Sequence, residues 1–160
     1  MFDRRRLALL ALIALVVAGG LYLFADDGER TTVTFVDENG TELATVDAAV
    51  SDSFPERYTG LSDTESLGPN EGMLFVHPNE GNHTYVMRDM AFPIDIVFVD
   101  ADGTITTIHH AELPEEGEEL HGYRGRGKYV VELPYNYTTD HGIEVGDRVQ
   151  IPEQHRKADG

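Results

Sequence analysis

Residues 72–103 read GMLFVHPNEGNHTYVMRDMAFPIDIVFVDADG, and their reading decides the fold. Three apolar runs are separated here by Pro, Gly and Asn. The last, Ile94–Val99, ends in Asp100-Ala101-Asp102-Gly103 and resumes as Thr104-Ile105-Thr106-Thr107-Ile108. Two β-rich runs about an Asp-Gly predict a hairpin. Side chains alternate along a strand, so Ile94, Ile96 and Phe98 share one face and Asp95, Val97 and Val99 the other. A strand apolar on both faces belongs in the interior of a layered or closed sheet. Asp95 interrupts it. A buried carboxylate must be hydrogen-bonded or paired, and Arg57, Arg88 or backbone N–H groups are the expected partners.

Outward from this centre, Thr31–Val36 and Thr41–Val46 flank Glu38-Asn39-Gly40 and predict a second hairpin. Ser53 with Glu56 spells a capping box, so a short helix is expected from Phe54 to Leu61. On the C-terminal side, Glu112–Gly122 is an acidic loop. Lys128–Leu133 reads as a strand, Asn136–His141 as one helical turn and Arg148–Ile151 as the closing strand. Pro152–Gly160 has no apolar pattern and is expected to be a disordered tail. The sum is a mainly β domain over residues 31–151. It is expected to be a compact antiparallel β-sandwich or partly closed barrel with one or two short helices.

The motifs Gly72-Met73-Leu74-Phe75, Tyr85-Val86-Met87-Arg88-Asp89-Met90 and Ile94-Asp95-Ile96-Val97-Phe98-Val99-Asp100 carry a resemblance. So do Glu56-Arg57-Tyr58-Thr59-Gly60-Leu61, Tyr129–Leu133 and Ile143–Val149. In this order, over residues 31–151, the chain resembles the uncharacterised domain-of-unknown-function family 192. The resemblance implies a mainly β, sandwich-like domain and no settled activity. Val86, Arg88 and Asp89 depart from that family's usual aromatic, Lys and Asn. A ligand-reading loop there would carry a changed donor and acceptor pattern.

The N-terminus has its own logic. Arg4-Arg5-Arg6 precedes Leu7–Phe24, which is 18 residues without a charge. At about 1.5 Å per residue such a helix just spans a bilayer core. Basic residues before it and Asp26, Asp27 and Glu29 after it place the N-terminus in the cytoplasm and residues 31–151 outside, past a short linker at 25–30. The alternative is a signal peptide cleaved near Ala18-Gly19-Gly20, giving a secreted protein. The anchor is preferred because the apolar run continues through Leu21–Phe24.

The whole chain has 29 acidic and 12 basic residues, for a net charge of −17. Beyond Phe24 the balance is 28 acids against 9 bases, because residues 1–24 hold only Asp3 and the three arginines. Such a surface repels nucleic acid and anionic membranes. Acids spread along the whole chain suit a salt-rich medium, which points to a halophilic microbe such as a halophilic archaeon. With no cysteine, the fold rests on core burial alone.

Candidate chemistry is sparse. Asp95 and Glu132 each stand on a strand among apolar neighbours. They are either structural acceptors or, if they converge in a cleft, an acid/base pair for an extracytoplasmic hydrolase. His77, His83, His109, His110 and His121 lie in or beside the central segment without HxH or HExxH spacing. A metal site from His77, His83 and a carboxylate is outweighed by surface histidines, and neither metal nor cofactor is expected. Asp100–Gly103 lacks the remainder of a calcium loop and is a turn. Met87, Arg88 and Asp89 join Asp95 and Glu132 as ligand-binding candidates. Arg57, Gly72 and Gly103 are expected to be structural. Asn39, Asn82 and Asn136 begin N-x-Thr sequons in predicted turns, as glycosylation of an outside face would require. The expected function is a membrane-anchored module that binds a small ligand, a glycan or an envelope protein. The paired-carboxylate hydrolase is the alternative.

Overall fold

The structure is a computed structural model that describes residues 28–156. The expected anchor at 7–24 and the end of the tail lie outside the described residues. Among those described, no helix is long and apolar enough to cross a membrane.

Among the described residues, seven strands and three short helices follow one another as β1 (Arg30–Val36), β2 (Glu42–Ser51), α1 (Phe54–Thr59), β3 (Glu71–Tyr85), β4 (Ile94–Val99), β5 (Ile105–Ala111), β6 (Tyr123–Pro134), α2 (Tyr137–Asp140), β7 (Arg148–Gln150) and α3 (Glu153–Arg156). All seven strands form a single sheet in the order β5-β4-β6-β3-β2-β1-β7. The sheet curls into a half-barrel, so the expected two-layer sandwich gives way to the barrel alternative. The turn after β4 meets β7 through backbone bonds from Ile105 N to Asp147 O (2.9 Å), Gly146 N to Ile105 O (3.0 Å) and Val149 N to Gly103 O (2.7 Å). Gly103 makes this junction feasible: its φ is +90°, and a Cβ at this position would stand only 2.8 Å from the Val149 carbonyl oxygen.

Both expected hairpins form, β1 with β2 and β4 with β5. Ser53 and Glu56 close the capping box at α1. One pairing departs from the antiparallel expectation: β2 and β3 run parallel, Asp47 to Ser51 against Glu71 to Phe75. Parallel neighbours need a crossover, and residues 52–70 supply it, carrying α1 across the sheet. β3 extends well past His77 because the register shift between Val76 and Gly81 absorbs Pro78, which has no N–H to donate.

Alternation gives the sheet two apolar faces. The inner face draws on every strand, including Val33, Val46, Leu74, Val97, Ile105, Val131 and Val149. The outer face is covered over β3, β4 and β6, where Phe75, Ile94, Ile96, Phe98 and Val130 pack with Leu61 and Met87 from the crossover and the 86–93 loop. Past Pro152, at the start of the stretch expected to be a disordered tail, the described residues form α3. α3 buries His155, and the Lys128 ammonium donates to the Arg156 carbonyl at 3.0 Å. Polar anchors of this kind leave no apolar periodicity to read.

Candidate functional site

Where the crossover passes over the outer face it leaves a cleft of about 480 Å³. One wall is α1 and the residues after it, from Phe54 to Ser62. The other is β3 at Phe75, His77, His83 and Tyr85, with Val86, Arg88 and Met90 of the following loop. Glu132 of β6 lies on its lining.

Glu132 reaches this face by register. It pairs with Ile96 on β4 and Met73 on β3, both on the outer side. The residue is 6% exposed, and its Oε2 has no hydrogen-bond partner. Burial alone pushes its carboxyl up to about 8. At neutral pH Glu132 is therefore a protonated acid with a donor to offer. Beside β6, a Cβ on Gly72 would stand 2.6 Å from the Glu132 carbonyl oxygen, so the strands come together there only because residue 72 is glycine.

The rest of the lining is aromatic and neutral or cationic. The His77 and His83 rings stack 3.6 Å apart at 12°. Burial, then His83, then the Arg57 charge lower His77 to about 4. Burial likewise lowers His83, whose Nε2 lies 3.1 Å from the Gly127 carbonyl. Tyr85 OH sits 3.0 Å from His77 Nε2, and burial followed by the Glu132 charge raises its pKa. Parallel rings direct their nitrogen lone pairs side by side rather than toward one point. Among the described residues no group of three His, Asp or Glu could hold a metal ion.

Two guanidinium groups flank the cleft. Arg57 Nη1 donates to the Asp52 carbonyl and, at 3.0 Å, to the Val76 carbonyl, tying the crossover to β3. Arg88 lies 4.2 Å above the Tyr58 ring and donates from Nη2 to the Tyr58 carbonyl at 3.2 Å. Neither meets a carboxylate among the described residues. Each guanidinium has five N–H donors, so both retain donors for a ligand.

The remaining candidates lie elsewhere. Asp95 pairs with Leu133 and points to the inner face, fully buried. Its acceptors are filled by Asn136 N (2.9 Å), Thr138 N (2.9 Å), Thr138 Oγ1 (2.7 Å) and His110 Nδ1 (2.7 Å). Backbone N–H groups are thus its partners, and neither arginine is. Asp95 and Glu132 leave opposite faces of the sheet, so no acid/base pair assembles from them. Met87 is buried in the outer core. Asp89 holds φ +55°, a region Asn and Asp enter more readily than other side chains, and it is outside the cleft lining. Asn39, Asn82 and Asn136 are all exposed. The cleft residues missed by sequence reasoning include Phe54, Tyr58 and Tyr85. Phe54 and Tyr58 are 74% and 62% exposed, and two aromatics one turn apart on a short helix were the available signal.

Fold and site together define a curled β-sheet protein with a cleft between its crossover and its outer face. The DUF192 family model, described as an uncharacterized ACR, matches residues 34–151, and the chain belongs to that family. No curated protein matches it. A solved structure from Sinorhizobium meliloti 1021, provisionally described as a transcription regulator, is similar with TM-score 0.69 and 26% identity over 77% of this chain and 94% of that one. A Novosphingobium aromaticivorans DSM 12444 protein of unknown function is similar with TM-score 0.70 and 25% identity over 80% and 89%.

Proposed function

We propose that the chain is a membrane-anchored, extracytoplasmic module that binds a small ligand in the outer-face cleft. The observation that supports this most is Glu132, a residue of the cleft lining whose Oε2 is buried without a partner. A buried polar atom left unpaired costs stability, and a ligand that pairs with it recovers that loss. The Arg4–Arg6 cluster followed by the apolar run Leu7–Phe24 supports the anchored, outside placement. The opposite facing of Asp95 and Glu132 argues against the hydrolase alternative. The regulator description belongs to the Sinorhizobium protein. In this chain 28 acids against 9 bases beyond residue 24 offer no electrostatic footing for nucleic acid.

The reading is tested by thermal unfolding of the full-length chain against a fragment library at one fixed salt concentration. A ligand of the folded state raises the midpoint. Hits should lose their effect in Thr59→Trp, which fills the cleft from its exposed wall. A library without hits, or hits indifferent to Thr59→Trp, would sink the proposal.

A further inference from the structure

The geometry points to a small organic monoanion with an apolar or aromatic body as the ligand of this cleft, its carboxylate-like head held between the Arg57 and Arg88 guanidinium groups and the Glu132 carboxyl. This inference rests on the cleft being a ligand site and goes on to assign the chemistry of what fills it.

The first ground is charge. Every ionisable side chain on the lining can be named: Arg57, Tyr58, His77, His83, Tyr85, Arg88 and Glu132. His77 is neutral at pH 7, since it stays unprotonated down to about 4. His83 is shifted the same way, and Tyr85 is held protonated. Glu132 keeps its proton up to about pH 8. The cleft is therefore cationic at neutral pH, on a chain whose net charge is −17. An anion is attracted locally, whereas a cationic ligand would face two arginines with no ionised acid on the lining to receive it.

The second ground is hydrogen bonding. A protonated carboxyl donates, and a planar guanidinium offers paired N–H groups; both match the two oxygens of a carboxylate. Glu132 Oε2 lacks a partner, both arginines retain donors, and all three residues line one cavity. The third ground is the remaining wall. Phe54, Tyr58, Leu61, Phe75, Tyr85 and Met90 present an apolar surface for the body of the ligand. A strongly hydrated ion such as phosphate would leave that wall unused.

Glu132 makes the binding proton-linked. Once it ionises, it repels the bound anion, so affinity should fall as pH rises through about 8.

Benzoate, benzamide and benzylammonium share one ring and differ in the charge of the head, which makes them suitable probes. They are titrated into the full-length chain labelled at its Met methyl carbons, at constant ionic strength, with Met90 on the cleft lining as reporter. At about pH 7 benzoate should shift the Met90 signal saturably, with at least about tenfold higher affinity than either other probe. Its affinity should weaken by at least about fivefold at about pH 9.5. Glu132→Gln should bind benzoate with little change over that range, and Arg57→Gln should weaken it at least about tenfold. Benzamide or benzylammonium binding as well as benzoate would overturn the anion assignment while leaving the cleft a ligand site. No response to any of the three would overturn both. Full pH dependence retained in Glu132→Gln would remove Glu132 from the recognition. The comparison of probes on the unaltered chain decides the charge question even if a variant does not fold.

Discussion

The hydroxyl of Thr138 lies 2.7 Å from Oδ2 of Asp95, a contact that fastens the turn after β6 to the first paired residues of β4. With the N–H groups of Asn136 and Thr138 on the same carboxylate, it makes Asp95 the clasp of the inner face rather than a reacting group. Asn136 enters the left-handed region at φ +62° to present its N–H.

Asp95→Asn keeps the shape and turns one acceptor into a donor that faces donors. The folded state should lose about 1–3 kcal/mol. Urea unfolding of both proteins at one high salt concentration measures this, and an unchanged midpoint would show that the clasp contributes nothing.

Glu132 makes stability depend on pH in a stated direction. Its folded pKa of about 8 lies above its ordinary value of 4.5, so the folded chain holds a proton that the unfolded chain has released. The associated stability is fully present below pH 4.5 and is lost as pH rises through about 8. The loss accrues at up to about 1.4 kcal/mol per pH unit within that window. Glu132→Gln stays neutral throughout. Its unfolding midpoint relative to the parent should climb from pH 4.5 to 8 and then level off, and a difference constant with pH would contradict the buried acid.

Gly72→Ala would drive a methyl group to within 2.6 Å of the Glu132 carbonyl oxygen, which is backbone and has little room to yield. A destabilisation of about 1–3 kcal/mol is expected from such overpacking. Chemical denaturation reads it directly, and a neutral substitution would mean that β3 and β6 separate without cost.

The proposed membrane topology rests on the N-terminal charge pattern alone. Protease added to intact cells should remove residues beyond the anchor, and complete protection of the domain would reverse the assigned orientation.

Local signals carried much of the architecture. The Asp-Gly and Asn-Gly turns marked two hairpins, Ser53 and Glu56 marked the start of α1, and the doubly apolar run Ile94–Val99 correctly marked an interior strand. What could not be read was pairing. The opposite facing of Asp95 and Glu132 depends on β4 and β6 lying side by side, with Ile96 opposite Glu132, a relation between residues 36 positions apart. The parallel pairing of β2 with β3 was hidden for the same reason, and with it the cleft. Pro78 concealed the length of β3, because a proline ordinarily argues against a continuous strand and only the bulge reconciles the two. Glu132 was singled out as a carboxylate among apolar neighbours, but the histidine stack and the arginines that share its cavity reach it only through the curl of the sheet.

The parallel pairing of β2 and β3 has a consequence for how relatives can diverge. Two parallel neighbours oblige the chain to travel back over one face, and here that obligatory return forms a wall of the cavity. The location of the cavity is thereby inherited with the strand order, while the residues of the returning segment face outward and contribute little to the inner core. Substitutions at exposed positions of that segment, such as Phe54 and Tyr58, can exchange one guest for another while Arg57 and Leu61 keep the segment fastened to the sheet. Homologues with the same topology should keep a hollow in this place and differ in what they admit to it.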